Sequence, residues 1–484
     1  MAVAAGKYKI DMCHGPLFKQ IILFSVPLFL SGVLQFLFHA ADLAVVGSFG
    51  SANALAAVGT SGPLTSLFIN TFMGLAIGAN VVIARYFGSQ NQPMRSRAIH
   101  TTIALSIAGG LLLGVLSVTL AEEMLRWTNV PEVLIPQAKR YLMIFCSGIP
   151  FLIFFNFGSA ILRSAGDTKR PLYYLITAGI INVVLNLIFV ICFHWDVAGV
   201  AWATIISKFI ACILLARNLL TNKDGCKVKL SLIKFHPALL KEILIIGVPA
   251  GLQSSCFALS NIVIQSTINN FGPAAIAGNT AAVTLEVIIN LFSYAYHMTV
   301  ISFVGQNVGG QKPFRMLKSI IYCLACAVVL DIVGGYSFIF FSEQLMRIFN
   351  SDPAVIAFGV MRMKYILCLY FLCGIMDVLG GCMRGLGYST TSAIVTFVGV
   401  CVLRIAWVYL ILPLDPTPQN LFISYPVTWA ITSLINGSIL IFILCRIFRN
   451  HPLNLNKLQK SIRNRILGKT PSPSPIVTGR LPPF

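Results

Sequence analysis

Twelve long apolar stretches recur along the chain, and they limit its fold more than any other feature. A helix needs about 20 mostly apolar residues to cross a bilayer. Each stretch reaches that length with few charges, so we predict twelve membrane-spanning helices. They cover residues 18–42, 54–84, 96–120, 139–162, 171–193, 198–219, 240–268, 275–305, 316–341, 359–383, 389–413 and 422–446.

The overall composition agrees with a membrane protein and excludes a soluble one. Hydrophobic residues make up 57% of the 484 positions, charged residues only 10%, and the mean hydropathy is +0.84. A soluble protein carries charge at about one residue in four. Because a chain in lipid must satisfy its own backbone hydrogen bonds, the predicted fold class is an all-α polytopic membrane protein. The first stretch is too long for a cleaved signal peptide and is assigned to the mature fold.

The basic residues predict the orientation of the chain. Of the 35 Lys and Arg residues, nineteen fall in the N-terminal segment and alternate loops, and eight fall from Arg446 onwards. The opposite loops carry six, with Arg362 counted among them. Both termini are therefore predicted to be cytoplasmic, with anionic membrane lipids as partners of the basic segments. This asymmetry accounts for the net charge of +20, so no nucleic-acid partner is predicted.

The two halves of the chain repeat each other. Residues 17–27 match residues 239–249 at an offset of 222, and residues 163–166 match 384–387 at an offset of 221. Two parallel six-helix lobes related by a pseudo-two-fold axis are predicted, with substrate bound between them. The predicted segments are a cytoplasmic N-terminal segment (1–17), an N-lobe (18–219), a cytoplasmic linker (220–238), a C-lobe (239–447) and a basic cytoplasmic tail with a disordered end (448–484).

One face of the first span is polar. Gln35, His39 and Asp42 are four and then three residues apart, so they share a face of a helix. An acid at mid-membrane depth costs roughly 2.5–3.5 kcal/mol, and such acids usually line a cavity. We therefore predict that Asp42 takes part in function, with Gln35 and His39 in the same pathway. The alternative is an acid at the edge of the span that reaches solvent. Position 264, the repeat counterpart of Asp42, is Ile264, so this role is predicted for the N-lobe alone.

Asp42 has candidate partners in later spans. Asn182 and Asn186 lie one helical turn apart in the fifth span, Asn156 lies in the fourth and Thr204 in the sixth. Their oxygens, with the Asp42 carboxylate, form a ligand set suited to a small cation such as Na⁺. The same set could surround a carboxyl that binds and releases a proton. Hydrogen bonding between helices is a third explanation for the Asn residues.

Three further acids lie within spans. Glu286 lies near the middle of the eighth span and Asp377 lies well within the tenth, and both are predicted to belong to a transport pathway. Asp331 has a weaker claim, because no polar stripe accompanies it. Lys208 and Arg404 are the basic residues within spans, where they would pair with these acids or extend towards the interface.

Other patterns carry less weight. Pro27 and Pro249 lie inside the first and seventh spans, where each frees a backbone carbonyl and is predicted to permit a kink. The spacing of Cys323 and Cys326 is typical of metal and redox sites, but an apolar surrounding favours small buried side chains. No GxxxxGK[ST] loop or HExxH motif is present, so ATP hydrolysis does not drive this chain and an enzyme is not expected.

Several motifs resemble one transporter family. Residues 42–50 (DLAVVGSFG) and 55–59 (LAAVG) resemble the first-helix motif of the multidrug and toxic compound extrusion (MATE) family. Residues 163–168 (RSAGDT), 303–309 (FVGQNVG) and 384–387 (RGLG) also resemble its motifs at the expected places. The resemblance covers roughly residues 15–450. The region of Glu286 looks most like the bacterial branch named for DNA-damage-inducible protein F.

This resemblance implies a secondary active exporter of a bacterial inner membrane. Such a protein moves cationic or amphipathic organic compounds outward against entry of H⁺ or Na⁺, by alternating access and without a cofactor. We expect it to act as a monomer. By the family's pattern, Asp42 would be the first-helix acid of a cation site in the N-lobe, with Asn156, Asn182, Asn186 and Thr204 as companions. Some members carry Asp where this chain has Asn186, which weakens a Na⁺ site here.

Two alternatives stay open. A lipid-linked oligosaccharide flippase of the same superfamily would line its cavity with basic residues that bind a pyrophosphate. The predicted cavity here is mostly acidic, which favours cationic cargo. A polytopic membrane enzyme would need a polar catalytic cluster at a membrane face, and His39 beside Asp42 is the nearest candidate.

Overall fold

The computed structural model describes residues 8–49, 70, 72–127, 132, 134–222 and 225–450, and all regular secondary structure in these residues is helical. Most of the second predicted span, including residues 55–59 of the sequence motif, lies outside the described residues, as does the predicted disordered end beyond residue 450. Two compact units are present, Met1–Ser438 and Ile439–Phe484. The described part of the second unit is helical.

The helices of the N-terminal half follow the predicted spans. They are α1 (Leu17–Phe49), α2 (Phe72–Gly88), α3 (Gln92–Thr119), α4 (Ala121–Trp127), α5 (Ile135–Ser147), α6 (Ile149–Ser164), α7 (Lys169–Leu187, followed by a π-helical turn at Ile188–Cys192) and α8 (Asp196–Thr221). A short 3₁₀ turn, Leu230–Leu232, lies in the linker before the second half.

The C-terminal half has the same succession. Its helices are α9 (Pro237–Asn269), α10 (Pro273–Gly309), α11 (Pro313–Phe340), α12 (Ser342–Arg347), α13 (Pro353–Leu367), α14 (Phe371–Leu386), α15 (Ser389–Thr396), α16 (Leu403–Ala406) and α17 (Pro418–Asn450). π-Helical turns at Phe397–Val402 and Trp407–Ile411 and a 3₁₀ turn at Leu412–Leu414 join α15 and α16 into one span.

The structure confirms an all-α polytopic membrane fold with twelve spans. Within the described residues, nine helical segments are long and apolar enough to cross a bilayer, and two bent helix pairs bring the number to eleven. The shorter apolar helix α2 overlaps the second predicted span. The helices α1 and α9 continue through Pro27 and Pro249, so neither proline ends its helix.

Two spans are broken where the sequence analysis expected continuous helices. The fourth span bends by 42° between α5 and α6, and the tenth bends by 49° between α13 and α14. Pro150 explains the first break, because it cannot donate the backbone hydrogen bond that would continue the helix. No proline is present at the second break. Hydrogen bonds between residues three apart form there, as in a 3₁₀ turn, such as the bond from Cys373 N–H to the carbonyl of Tyr370 at 2.8 Å.

Residues at corresponding positions of the repeat form hydrogen bonds between the two halves. Asn80 on α2 donates to Ser302 on α10 at 3.1 Å, and these two residues are 222 positions apart, the offset of the repeat itself. Arg85 donates to the carbonyl of Gly385 at 3.3 Å, and Gln306 donates to the carbonyl of Ser164 at 2.6 Å. Arg85 and Gln306 are counterparts at an offset of 221, as are Ser164 and Gly385. The pseudo-two-fold relation is therefore visible in individual bonds.

The N-terminal segment before α1 also joins the two halves. Ile10 N–H donates to the carbonyl of Gly166 in the first half at 3.1 Å. In the second half, Arg315 at the start of α11 donates to the carbonyls of Met12, His14 and Gly15 at 2.8–2.9 Å. Because one guanidinium binds three backbone carbonyls within four residues, the segment is fixed across the loops that carry most of the basic residues.

Glycine allows α2 and α10 to approach closely on this side. A Cβ atom at Gly88 would lie 1.8 Å from the carbonyl oxygen of Gln306, and one at Gly309 would lie 2.0 Å from that of Arg85. Both obstacles are backbone atoms, which cannot rotate away. The bonds between the halves therefore depend on glycine at these two positions.

We predict that Gly88→Ala loosens this contact. The added methyl group should cost about 1–3 kcal/mol, because the two helices must separate to admit it. Thermal unfolding of the purified protein in detergent would show a lowered Tm. Gly437→Ala is the matched control, since its Cβ would meet Leu379 at an ordinary 3.7 Å. Equal Tm values for the two variants would contradict the prediction.

Candidate functional site

The structure brings Asp42 together with three of its four predicted companions. The carboxylate on α1 accepts a hydrogen bond from Asn186 Nδ2 on α7 at Oδ1, and one from the Thr204 hydroxyl on α8 at Oδ2, at 3.3 Å. Asn182 Nδ2 donates to Thr204 Oγ1, and Asn186 Nδ2 lies within bonding distance of Asn182 Oδ1, both at 3.4 Å. Three helices thus meet at one carboxylate.

Local helix geometry explains this arrangement. Asn182 and Asn186 are four residues apart on α7, so both amides lie on the face that packs against α1 and α8. Both are buried, Asn186 completely. The Asn186 Oδ1 atom has no hydrogen-bond partner among the described residues. A buried polar atom without a partner normally marks a ligand or a strained site.

Basic and aromatic groups surround this network. Lys208 is one turn beyond Thr204 on α8, close enough to Asp42 for an electrostatic interaction. His39 on α1 and Tyr141 on α5 also interact electrostatically with the Asp42 carboxylate. Within the described residues, no nitrogen of Lys, Arg or His lies within 4.0 Å of Asp42 to form an ion pair with it.

Two predicted site residues lie outside the network. Gln35 is exposed on α1 and donates to the carbonyl of Ser31 at 3.3 Å. Asn156 is half-buried on α6, and no hydrogen bond joins it to Asp42 within the described part of the chain. Its place after the break between α5 and α6 could not be deduced from its spacing, because the break was not predicted.

The site offers an oxygen-rich ligand set for a small cation. The Asp42 carboxylate, the Thr204 hydroxyl and the side-chain carbonyls of Asn182 and Asn186 are hard ligands of the kind that suit Na⁺. However, Asn186 directs an N–H group, not its oxygen, at the carboxylate. A proton on Asp42 needs no rearrangement of the amides, whereas a metal ion would require Asn186 to turn.

Glu286 has a different environment. Arg362 on α13 binds it with two parallel bonds, Nε to Oε1 and Nη2 to Oε2, both 2.9 Å. Arg362 also donates to Asn279 at 2.8 Å, and its guanidinium lies 5.3 Å from the ring centroid of Tyr425. Both charges are buried, at 2% exposure for Arg362 and 8% for Glu286.

The prediction that Arg362 lies in a loop is wrong. It lies in α13, inside the tenth span. Its position within the predicted span 359–383 already indicated a membrane location. Arg404, by contrast, forms no ion pair with an acid among the described residues. It is buried on α16, with its guanidinium 4.1 Å from the ring centroid of Tyr425 and Nη2 donating to Thr428 at 3.3 Å.

Asp377 on α14 is compensated by a cation of its own helix. Arg384 lies two turns further on and interacts electrostatically with the Asp377 carboxylate. The same guanidinium donates to His297 Nε2 at 2.6 Å and to Gln253 Oε1 at 2.7 Å. His297 Nδ1 donates in turn to the backbone carbonyl of Asp377 at 2.6 Å, which fixes a neutral tautomer. Sequence spacing alone did not indicate this cluster.

Comparison with known proteins identifies the family to which this chain belongs. The MatE family model matches residues 27–188 and 249–410. The second segment begins and ends 222 residues after the first, which is the offset of the internal repeat. The two matched segments together cover well over half of the chain.

Relatives and solved structures agree with this match. The probable multidrug resistance protein YpnP of Bacillus subtilis is 30% identical over 394 residues, 81% of this chain and 88% of its own length. The probable multidrug resistance protein YoeA of the same organism is 24% identical over 429 residues, 86% and 92% of the two chains. The fold is similar to that of a multidrug resistance MATE family transporter of the MOP superfamily in an outward-facing conformation. That comparison gives a TM-score of 0.86 at 19% identity, covering 92% of this chain and 100% of the other.

The repeated match, the twelve spans in two six-helix lobes and the half-buried carboxylate of α1 lead to one conclusion. This protein belongs to the MatE family, and it is a multi-pass membrane transporter of the multidrug efflux type, not an enzyme.

Proposed function

We propose that this transporter exports amphipathic organic compounds, cationic ones included, from a bacterium in exchange for protons. It lies in the inner membrane with both termini in the cytoplasm. The observation that carries the proposal is the Asp42 carboxylate, which two donors from α7 and α8 bind beside the unpartnered Asn186 Oδ1. The substrate class rests on YpnP and YoeA, both named multidrug resistance proteins.

A proton fits this site better than a sodium ion. The groups nearest the carboxylate are an amide N–H and a hydroxyl, which donate to an ionised acid. The Lys208 side chain adds an electrostatic interaction from the same side of α8. A sodium ion would have to displace the Asn186 N–H and would meet repulsion from the ammonium group.

Protonation changes how strongly α1 is held. Hydrogen bonds to a charged group contribute about 1.5–3 kcal/mol, compared with about 0.5–1.5 kcal/mol for neutral pairs. Loading Asp42 with a proton therefore weakens each of its bonds to α7 and α8 by about 1 kcal/mol. The helix α1 is then freer to move about Pro27, roughly four turns away. Substrate release and proton entry become coupled, because a linkage between two ligands is reciprocal.

The arginine pairs limit which other acids can take part. Glu286 is already neutralised by Arg362, and Asp377 lies beside Arg384. The inside of the C-lobe is therefore less acidic than its sequence suggests. A preference for cationic substrates accordingly depends on the N-lobe, where Asp42 has no ion pair within the described residues.

We predict that Asp42→Asn removes proton coupling. Purified protein in vesicles, with ethidium as the transported probe, should respond to an imposed pH gradient. The transport response of the variant to the pH gradient should be about 5- to 150-fold smaller than that of the wild type, which corresponds to a coupling free energy of about 1–3 kcal/mol. Asp415→Asn is the control, since Asp415 is an exposed loop acid.

Two results would count against the proposal. Transport driven by a sodium gradient and not by a pH gradient would overturn the choice of proton. Unchanged, gradient-driven transport by the Asp42→Asn protein would overturn the site itself.

A second prediction concerns the pair of Glu286 and Arg362. Replacing one partner leaves an uncompensated buried charge, so Arg362→Met should destabilise the protein by about 3–5 kcal/mol. The double variant Glu286→Gln with Arg362→Met should recover most of that loss, because no charge is then left buried. Thermal unfolding in detergent would measure both. A double variant as unstable as the single one would show that the pair is not the cause.

A further inference from the structure

Glu286, Asp377, Asp42 and Asp331 differ in their compensation, and Asp331 stands apart. Glu286 has the guanidinium of Arg362 at 2.9 Å, and Asp377 has Arg384 on its own helix. Asp42 has two donors and nearby Lys208. Asp331 has one neutral partner, the hydroxyl of Ser293 on α10, which donates to Oδ2 at 2.7 Å.

The carboxyl of Asp331 is enclosed. The residue lies on α11 with 0% exposure, and its Oδ1 atom has no hydrogen-bond partner among the described residues. Across from it, Gly374 lies on α14, where a Cβ atom would come within 1.9 Å of Asp331 Oδ2. Only glycine leaves room for the carboxyl there. Three helices, α10, α11 and α14, therefore surround one acid that has a single donor.

No cation offsets a charge at this position. The titratable groups that interact electrostatically with Asp331 are Asp377 on α14, together with Tyr370 and Cys373 at the beginning of that helix. From α10 the facing group is the uncharged Ser293. Within the described residues, no Lys, Arg or His nitrogen lies within 4.0 Å of the carboxyl.

Burial energetics then decide the charge state. An ionised carboxylate taken out of water without a counter-ion costs several kcal/mol. Here the charged group that interacts electrostatically with Asp331 is another acid, Asp377, so ionising both would add repulsion. A protonated Asp331 avoids both costs, with Ser293 donating to one oxygen and the proton on the other. In this conformation the Asp331 carboxyl therefore holds a proton. An exposed loop acid such as Asp415, or an acid paired with arginine such as Glu286, would be ionised instead.

We propose that the Asp331 carboxyl, bound by Ser293 and enclosed at Gly374, is a second proton-binding site of this transporter. It takes up one proton when α10, α11 and α14 enclose it and releases that proton to water when they separate during transport. The site lies in the C-lobe, and its N-lobe counterparts at the repeat offsets are Gly110 and Gly109. Asp42 and Asp331 thus lie at non-equivalent positions of the two lobes. This inference rests on the proton coupling proposed above.

Infrared spectroscopy tests the proton directly. Reconstituted wild-type protein at neutral pH should show the carbonyl stretch of a protonated carboxylic acid, and Asp331→Asn should remove that band. Ser293→Ala should shift the band to higher frequency, because the carbonyl oxygen loses its donor. Asp415→Asn is the control for an exposed acid and should leave the band unchanged. Asn has the shape of the neutral acid, so an unchanged Tm of Asp331→Asn would show that the variant is folded.

Proton counting tests the role in transport. When ethidium is added to purified protein in weak buffer, Asp331→Asn should release one proton fewer per molecule than the wild type. A missing band in the wild type, or equal proton release by the two proteins, would overturn the proposal. A wild type that transports ethidium on a sodium gradient without proton release would instead overturn the proton coupling proposed above. In that case the infrared band would still decide whether Asp331 binds a proton.

Discussion

The low polarity of the bilayer interior is the constraint on which this structure depends. A charge there must be paired, neutralised or placed at a functional site, because water is not available to solvate it. Glu286 meets this demand through Arg362, and Asp377 through Arg384. Asp42 meets it in part, through an amide and a hydroxyl. The degree of pairing thus separates acids that stabilise the fold from acids that can change charge.

The scaffold is symmetric, but its chemistry is not. Asn80 and Ser302 bond to each other across the pseudo-two-fold axis, and the bonds of Arg85 and Gln306 are counterparts of one another. The acids do not obey this repeat, since Ile264 occupies the position that corresponds to Asp42. The duplicated scaffold gives both lobes the same succession of helices. Different residues within it let one lobe bind protons at α1 and the other at α11, if each acid acts as proposed.

Alternating access, which the resemblance to the MATE family implies, requires the contacts between the lobes to break and re-form. In this structure they include the approach of α2 to α10 at Gly88 and Gly309 and the N-terminal segment bound by Arg315. The bonds of Asn80 and Gln306 join neutral groups and contribute about 0.5–1.5 kcal/mol each, whereas those of Arg85 and Arg315 have a charged donor and contribute about 1.5–3 kcal/mol each.

The sequence by itself determined the membrane fold, the twelve spans and the duplication, because hydropathy and internal repeats act over many residues and tolerate local error. A functional role for Asp42 stays a prediction. The spacing of Asn182 and Asn186 also predicted their shared face, since a helix places residues four apart together. Only the tertiary structure decided which polar groups meet. It left Asn156 without a hydrogen bond to Asp42, placed Arg362 inside a span against Glu286, and isolated Asp331 from every cation within the described residues. Such pairings depend on how α10, α11, α13 and α14 pack and on a helix break that no proline marks. The spacing of residues along one helix predicts neither the packing nor the break.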